Sequence, residues 1–185
     1  MDTINKVQFF KSIPLFEALS PEDLELLAEK AHFRKAPKFQ FIFMPDEIAD
    51  HVYFLLDGRV KTGTFSAEGR EVIKEILQPI TLFGDLALAG ESTRSEFAQA
   101  LHDDVGYIAI HIADFQHLMQ RNQRLVFACL KHLSLRLQRV EERLAKLVLK
   151  DARERIIEFL VETAGREGRR VGYETLVKHH LTQQD

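Results

Sequence analysis

Between Val126 and Lys150 the apolar positions fall at Val126, Leu130, Leu133, Leu137, Val140, Leu144 and Leu147. Steps of four and three alternate, which is the a/d repeat of a helix that buries a narrow seam against a second helix. With Leu130, Leu137 and Leu144 at a and Leu133, Val140 and Leu147 at d, Arg136 takes a g position and Glu141 the following e position. Arg136 of one copy then reaches Glu141 of a parallel copy, so the pattern predicts a parallel homodimer through this helix. The alternative, one long helix laid on its own domain, would carry a wider stripe without charge on both flanks.

Upstream the rhythm differs. Ser20-Pro21-Glu22-Asp23 is a helix start, with Ser20 as cap, Pro21 in the first turn and acidic residues at the positive end of the dipole; Leu24, Leu26, Leu27 and Ala31 give that helix an apolar side. Ahead of it, Phe9, Phe10, Ile13, Leu15 and Phe16 read as core-covering residues rather than a ligand cage. From His32 to Ile112 the period becomes that of strands: Phe39 to Phe43, Val52 to Leu56, Val60 to Phe65, Val72 to Leu77 and Val105 to Ile110. Asp57-Gly58 and Ser66-Ala67-Glu68-Gly69-Arg70 supply the turns. Short strands with turns at this spacing predict an α+β chain built on an antiparallel β-roll, jelly-roll-like, with flanking helices. Such a roll is either filled with side chains or holds one small ligand.

Composition narrows the class. A chain of 185 residues with 45% hydrophobic content can bury one good core and part of a second. No apolar run approaches a membrane span, and Met1-Asp2-Thr3-Ile4-Asn5-Lys6 lacks the basic and apolar regions of a signal peptide. The single cysteine, Cys129, forms no internal disulfide and supplies no four-thiolate cluster, so a reducing cytoplasm is expected and no membrane partner. The charge is uneven: residues 1 to 120 hold 11 Lys+Arg against 19 Asp+Glu, and residues 121 to 185 hold 14 against 9. A positive C-terminal part facing an acidic N-terminal part points toward a polyanion, although basic helix surfaces are also simply solvated faces.

One stretch interrupts the strands. Leu82-Phe83-Gly84-Asp85-Leu86-Ala87-Leu88-Ala89-Gly90 carries a glycine, an acid and a short helical pattern, and Thr93-Arg94-Ser95-Glu96 is expected to return to the sheet. A glycine opening a short helix lets backbone N–H groups approach an anion, and an arginine ten residues on can close over a phosphate with two donors. Gly84, Asp85, Leu86, Ala87, Arg94, Ser95 and Glu96 are therefore the candidate effector cradle, against the plainer reading of a helix cap beside a surface arginine.

The order of the pieces resembles the Crp/Fnr family of bacterial transcription regulators, whose sensor is a cyclic-nucleotide-binding-like β-roll. The resembling residues are Phe43-Met44-Pro45-Asp46-Glu47, then Val52 to Val60, Phe83 to Leu88, Arg94-Ser95, the long helix, and Asp151 to Ile156. The resemblance implies a sensor over residues 1–121, a dimerisation helix over 122–150, and from 151 to 185 the N-terminal part of a winged helix-turn-helix domain. Ile156, Ile157, Phe159, Leu160 and Val161 resemble the first helix of that domain, and Leu181-Thr182-Gln183-Gln184-Asp185 the approach to its helix-turn-helix. The recognition helix would lie further on, so the chain reads as a truncated piece. The resemblance implies DNA and RNA polymerase as partners, with an effector held between roll and long helix.

The family's cyclic AMP receptors offer a stricter comparison. Gly84, Arg94 and Ser95 match their phosphate cassette, Asp85 is one methylene shorter than the usual glutamate, and Glu96 stands where a small residue is expected. If residues 94 to 96 are extended, Arg94 and Glu96 share a face, and Glu96 pairs with Arg94 or repels a phosphate. Glycines expected at two turns are replaced by Asp46 and Ile80, the second being harder to accommodate at positive φ. The hydroxyl pair that contacts adenine falls on Val140 and Glu141, which cannot repeat those hydrogen bonds. The expected function is an effector-responsive regulator whose effector is not cyclic AMP. A cyclic AMP receptor, or a haem-based gas sensor using His32, His51, His102, His132 or Met44 as axial ligand, remains the alternative. A metal-dependent cupin-like enzyme is the remote one, since His32, His51 and His102 are widely separated; no catalytic residue and no metal ligand is assigned.

Overall fold

The computed structural model describes residues 3–17 and 19–177, and Leu181 to Asp185 lie outside the described residues. Helix α1 (Thr3–Lys11) and α2 (Pro21–Lys30) precede eight strands: β1 (His32–Ala36), β2 (Phe41–Phe43), β3 (His51–Leu55), β4 (Val60–Phe65), β5 (Glu71–Leu77), β6 (Thr81–Phe83), β7 (Phe97–Ala100) and β8 (Val105–His111). Then follow α3 (Ile112–Arg121), α4 (Gln123–Leu149), α5 (Ala152–Glu167) and a hairpin of β9 (Arg169–Val171) and β10 (Glu174–Leu176). The chain divides within α4 into two compact units, Met1–Cys129 and Leu130–Asp185.

The first unit is an antiparallel roll of two four-stranded sheets, ordered β1-β8-β3-β6 and β2-β7-β4-β5. Strand β3 explains how it is filled. Its alternation is invisible in hydropathy because both faces are covered: Val52 and Phe54 point to the helices, while Tyr53 and Leu55 point into the roll. The helix side is a core of Phe10, Ile13, Phe16, Leu24, Leu27, Phe54, Ile108, Ile110, Phe115 and Leu118, in which the Phe16 ring lies tilted at 4.9 Å from Phe54 and edge-on at 5.3 Å from Phe10. Each such fully buried side chain contributes about 1.5–3 kcal/mol, so the aromatic cluster ahead of α2 is what fastens the helices to the sheet. Ser20 caps α2 by accepting from the Asp23 N–H at 3.1 Å. Lys6 closes the other end of α2 by donating to the carbonyls of Ala28 and Ala31. Cys129 and Leu125, on the first turns of α4, complete this core.

Two segments differ from the sequence reading. Phe39 is not in a strand: it sits in a turn at φ 67° and is exposed, and β2 starts only at Phe41. Residues 94 to 96 do not return to the sheet either; Ser95 and Glu96 lie in a bend, and β7 starts at Phe97. The strand is displaced there because the Arg94 N–H is drawn to the Glu47 carbonyl and the Arg94 carbonyl accepts from Asp46, a local clasp between loops rather than a ladder.

Gly63 marks an irregularity in the second sheet. A Cβ there would stand 2.4 Å from the Val72 carbonyl oxygen and 2.8 Å from Phe97 Cζ, so the Phe97 ring lies across a position only glycine can hold. The β4–β5 register shifts at this point: Thr62 pairs with Glu75 and Gly63 with Ile73, which leaves Lys74 as the extra residue of a bulge.

In the second unit α4 continues as an amphipathic rod. Leu130, Leu133, Leu137, Val140, Leu144 and Leu147 are all exposed, from 40% at Leu133 to 60% at Leu144. Leu135 and Leu149, on the opposite side of the heptad wheel, are exposed as well, and the a/d seam does not account for them. Arg136 is half-buried and Glu141 exposed. Between Leu149 and Ala152 the helix breaks, and Asp151 opens α5 with a capping box, its carboxylate accepting from the Glu154 N–H at 2.8 Å while Glu154 accepts from the Asp151 N–H at 3.1 Å. Lys146 and Lys150 tie α4 to α5 through Glu158 and Glu162. These bonds raise the Lys146 pKa and lower that of Glu158. Among the described residues, no helix is long and apolar enough to cross a membrane.

Candidate functional site

Strand β6 delivers the chain to Gly84, which adopts the left-handed conformation at φ 67° and opens a 3₁₀ turn over Asp85–Ala89 that Gly90 ends. A Cβ on Gly84 would lie 3.0 Å from the Tyr53 ring and 3.1 Å from Arg94 Nη1, so the glycine is required both for the turn and for the arginine beneath it. Arg94 is 2% exposed, the largest fully buried side chain among the described residues. Its Nη1 donates to the Gly84 carbonyl at 3.0 Å and its Nη2 to the His51 carbonyl. The guanidinium carbon lies 4.5 Å from the centre of the Phe43 ring and 5.5 Å from that of Tyr53. Phe43, Tyr53 and Phe83 are themselves nearly parallel, so the arginine caps a stack of three rings inside the roll. Burial raises the Tyr53 pKa, against the pull of the neighbouring Arg94 charge.

The buried Arg94 Nε has no hydrogen-bond partner among the described residues, and neither has Thr62 Oγ1 on β4. A guanidinium held in this way by carbonyls and ring faces keeps its charge only at a desolvation cost. An anion reaching it would exchange neutral acceptors for charge-assisted ones.

The other predicted residues distribute as follows. Asp85 and Ala87 are buried in the 3₁₀ turn, whereas Leu86 points outward at 41% exposure. Asp85 faces the first turns of α4: its charge adds to burial in pushing the Cys129 thiol up to about 11. Ser95 is exposed and gives both its N–H and its hydroxyl to Glu91. Glu96 departs from the expectation: its carboxylate, 4% exposed, pairs with Lys74 at 3.2 Å and not with Arg94. The premise of an extended 94–96 segment fails because of the bend, so the side chains of residues two apart need not share a face.

The sequence reading did not assign Lys74, Phe43, Tyr53 or Glu91 to the cradle, and it considered His51 only as a candidate haem or metal ligand. The Lys74 bulge carries no hydropathy signal, the His51 contribution is a backbone carbonyl that any residue would supply, and the rings read only as strand apolars. Near His51, the Asp50 carboxylate is bonded to Nδ1 at 2.6 Å; burial works to raise its pKa, but this bond and the His51 charge lower it overall. A groove between α2 and α3 is lined by Leu26, Leu27, Lys30, Asp114, His117, Leu118 and Arg121, none of which belongs to the cradle. Among the described residues no cluster of three or more His, Cys, Asp or Glu is placed to hold a metal ion.

Comparison with known proteins agrees with this architecture. The family model of the cyclic nucleotide-binding domain matches residues 33–122. The CRP-like cAMP-activated global transcriptional regulator of Mycobacterium tuberculosis is 27% identical over 177 residues, covering 92% of this chain and 76% of that protein. The cyclic AMP receptor protein of Thermus thermophilus is 28% identical, covering 92% and 77% respectively. Among solved structures, the sensor domain of the transcriptional regulator DNR from Pseudomonas aeruginosa superposes with a TM-score of 0.66 at 28% identity, covering 76% of this chain and 94% of that one. Residues 33–122 thus match the cyclic nucleotide-binding domain, and over most of its length the chain is similar to Crp/Fnr-type transcription regulators.

Proposed function

We propose that the roll is the sensor of a dimeric Crp/Fnr-type regulator and that Arg94 holds the phosphate of a small anionic effector. The observation that carries this is the state of Arg94: a fully buried guanidinium, stacked on Phe43 and Tyr53, with carbonyl acceptors and an unpartnered Nε. A site of this kind gains most from an anion, because bonds to charged groups are worth about 1.5–3 kcal/mol against about 1 for neutral ones. Gly84 and Ser95 border it, and Gly84 leaves backbone room for close approach.

Dimerisation through α4 supplies the output. The exposed seam from Leu130 to Leu147 fits a second copy, and an effector that favours one arrangement of the helix pair would reposition DNA-binding elements by its differential affinity alone. Cyclic AMP is disfavoured as the physiological effector on one ground, the apolar and acidic character of Val140 and Glu141 on the exposed side of α4. The second ground, repulsion by Glu96, is withdrawn, since that carboxylate is engaged by Lys74.

Native mass measurement of the purified protein tests the proposal. The expected result is a mass of two chains plus a small phosphate-bearing molecule that is absent from an Arg94→Met variant of unchanged circular dichroism. A Soret absorption band with a haem-sized mass increment would replace the phosphate effector by haem, and a monomer without ligand would refute both parts.

A further inference from the structure

Gly90, at φ 94°, ends the 3₁₀ turn, and the next residue, Glu91, folds back with its N–H on the Leu86 carbonyl at 3.3 Å. Its half-buried side chain presents one oxygen, Oε1, to the Ser95 N–H at 2.9 Å and to the Ser95 hydroxyl at 2.6 Å. These two donors belong to the residue directly after Arg94 and flank the cradle. A carboxylate oxygen that accepts one backbone N–H and one hydroxyl has the charge and the acceptor geometry of a phosphate oxygen. Two donors of Arg94 are likewise occupied from within the chain, by the carbonyls of Gly84 and His51, while its Nε has no partner among the described residues.

We propose that Glu91 is an internal surrogate anion, which occupies the Ser95 donors and must be displaced before a phosphate ligand can take them. This inference rests on the anion-binding reading of Arg94 and Ser95 given above. Displacement has two costs for the ligand: the carboxylate loses two hydrogen bonds, and its negative charge remains close to the incoming phosphate. Glu91 therefore sets a threshold, so that the sensor answers only to a ligand with enough further contacts to offset it. A plain structural role makes the opposite forecast. If the Glu91–Ser95 contact merely fastens the loop in a binding-ready form, its removal loosens the loop and weakens binding.

The two are separated by following the Ser95 and Arg94 resonances in ¹⁵N–¹H spectra while the full 185-residue chain is titrated with cyclic AMP, used as a simple cyclic phosphate probe. Native protein, Glu91→Ala and Glu91→Gln are compared. The surrogate role predicts affinity raised about tenfold in Glu91→Ala, equivalent to about 1.4 kcal/mol, and raised less in Glu91→Gln, which keeps an acceptor. Equal or weaker binding by Glu91→Ala, with native binding intact, overturns the surrogate role and leaves the anion cradle standing. Absence of binding to native protein and both variants overturns the two together. Ser95 amide exchange, faster in Glu91→Ala than in native protein, verifies without any ligand that the contact existed and was removed.

Discussion

Ile80 occupies the left-handed region at φ 66° with its side chain 47% exposed, an unfavourable conformation for a β-branched residue. It is held there by its N–H bond to the Leu55 carbonyl at 2.8 Å, at the start of the segment that leads into β6 and Gly84. Replacing it with glycine removes strain of about 1–3 kcal/mol and adds unfolded-state entropy of about 0.5–1 kcal/mol. Ile80→Gly is therefore expected to stabilise the protein by about 1 kcal/mol, read as a higher urea midpoint; a lower midpoint would mean that the side chain's apolar contacts outweigh the strain. Cys129 supplies a second check. Its thiol is pushed from 9.0 to about 11, so the neutral form is favoured in the folded state. The associated stability is complete below pH 9 and is lost as pH rises from about 9 to 11. Alkylation at pH 8 should accordingly be many times slower in folded than in urea-unfolded protein, and equal rates would contradict the burial. Ile80 and Asp46 illustrate what a sequence discloses at this level. A non-glycine residue at a turn that needs positive φ is legible as a conflict, and both sit at positive φ in the structure. The partner of Glu96 was not legible, because it depended on whether three residues were extended or bent, and that is decided by the hydrogen bonds of Asp46 and Glu47 some fifty residues earlier.

The elements differ in how plainly they are written. Helix α2 carries its cap in four letters, and the break before α5 is marked by Asp151 and Glu154 at capping-box spacing. The strands were recognisable as runs, yet the bulge in β5 was not, since Lys74 looks like any exposed strand residue until Gly63 and Phe97 shift the register around it. The bulge has an energetic consequence that can be measured. Lys74→Ala leaves the Glu96 carboxylate buried without this partner and should cost about 1–2 kcal/mol, the lower part of the usual range because the Lys74 side chain is 44% exposed. Lys74→Ala combined with Glu96→Ala should recover part of that loss, and strictly additive losses in denaturant titrations would show that the two are uncoupled. For α4, the narrow stripe was read directly from the spacing of its leucines. Leu137→Glu would bring like charges together at the middle of a parallel seam, so sedimentation is expected to give a dimer for native protein at micromolar concentration and a monomer for the variant. A native monomer would end the dimer proposal.

In the sensor unit, one side-chain core fills the roll and a second packs the helices on it, and the most deeply buried charged side chain among the described residues is that of Arg94. In the proposed sensor, that charge and the donors of Ser95 would read the phosphate, while Val140 and Glu141 offer an adenine base no hydrogen bonds of the expected kind. A receptor built in this way distinguishes cyclic phosphates from other anions better than it distinguishes one base from another. The most direct measurement is titration calorimetry of native protein and Arg94→Met with cyclic AMP and cyclic GMP under identical conditions. The expected result is weak binding of both, with Kd on the order of 100 µM and less than about tenfold apart, abolished in Arg94→Met. Low-micromolar binding selective for cyclic AMP, or binding that survives the loss of Arg94, would contradict it.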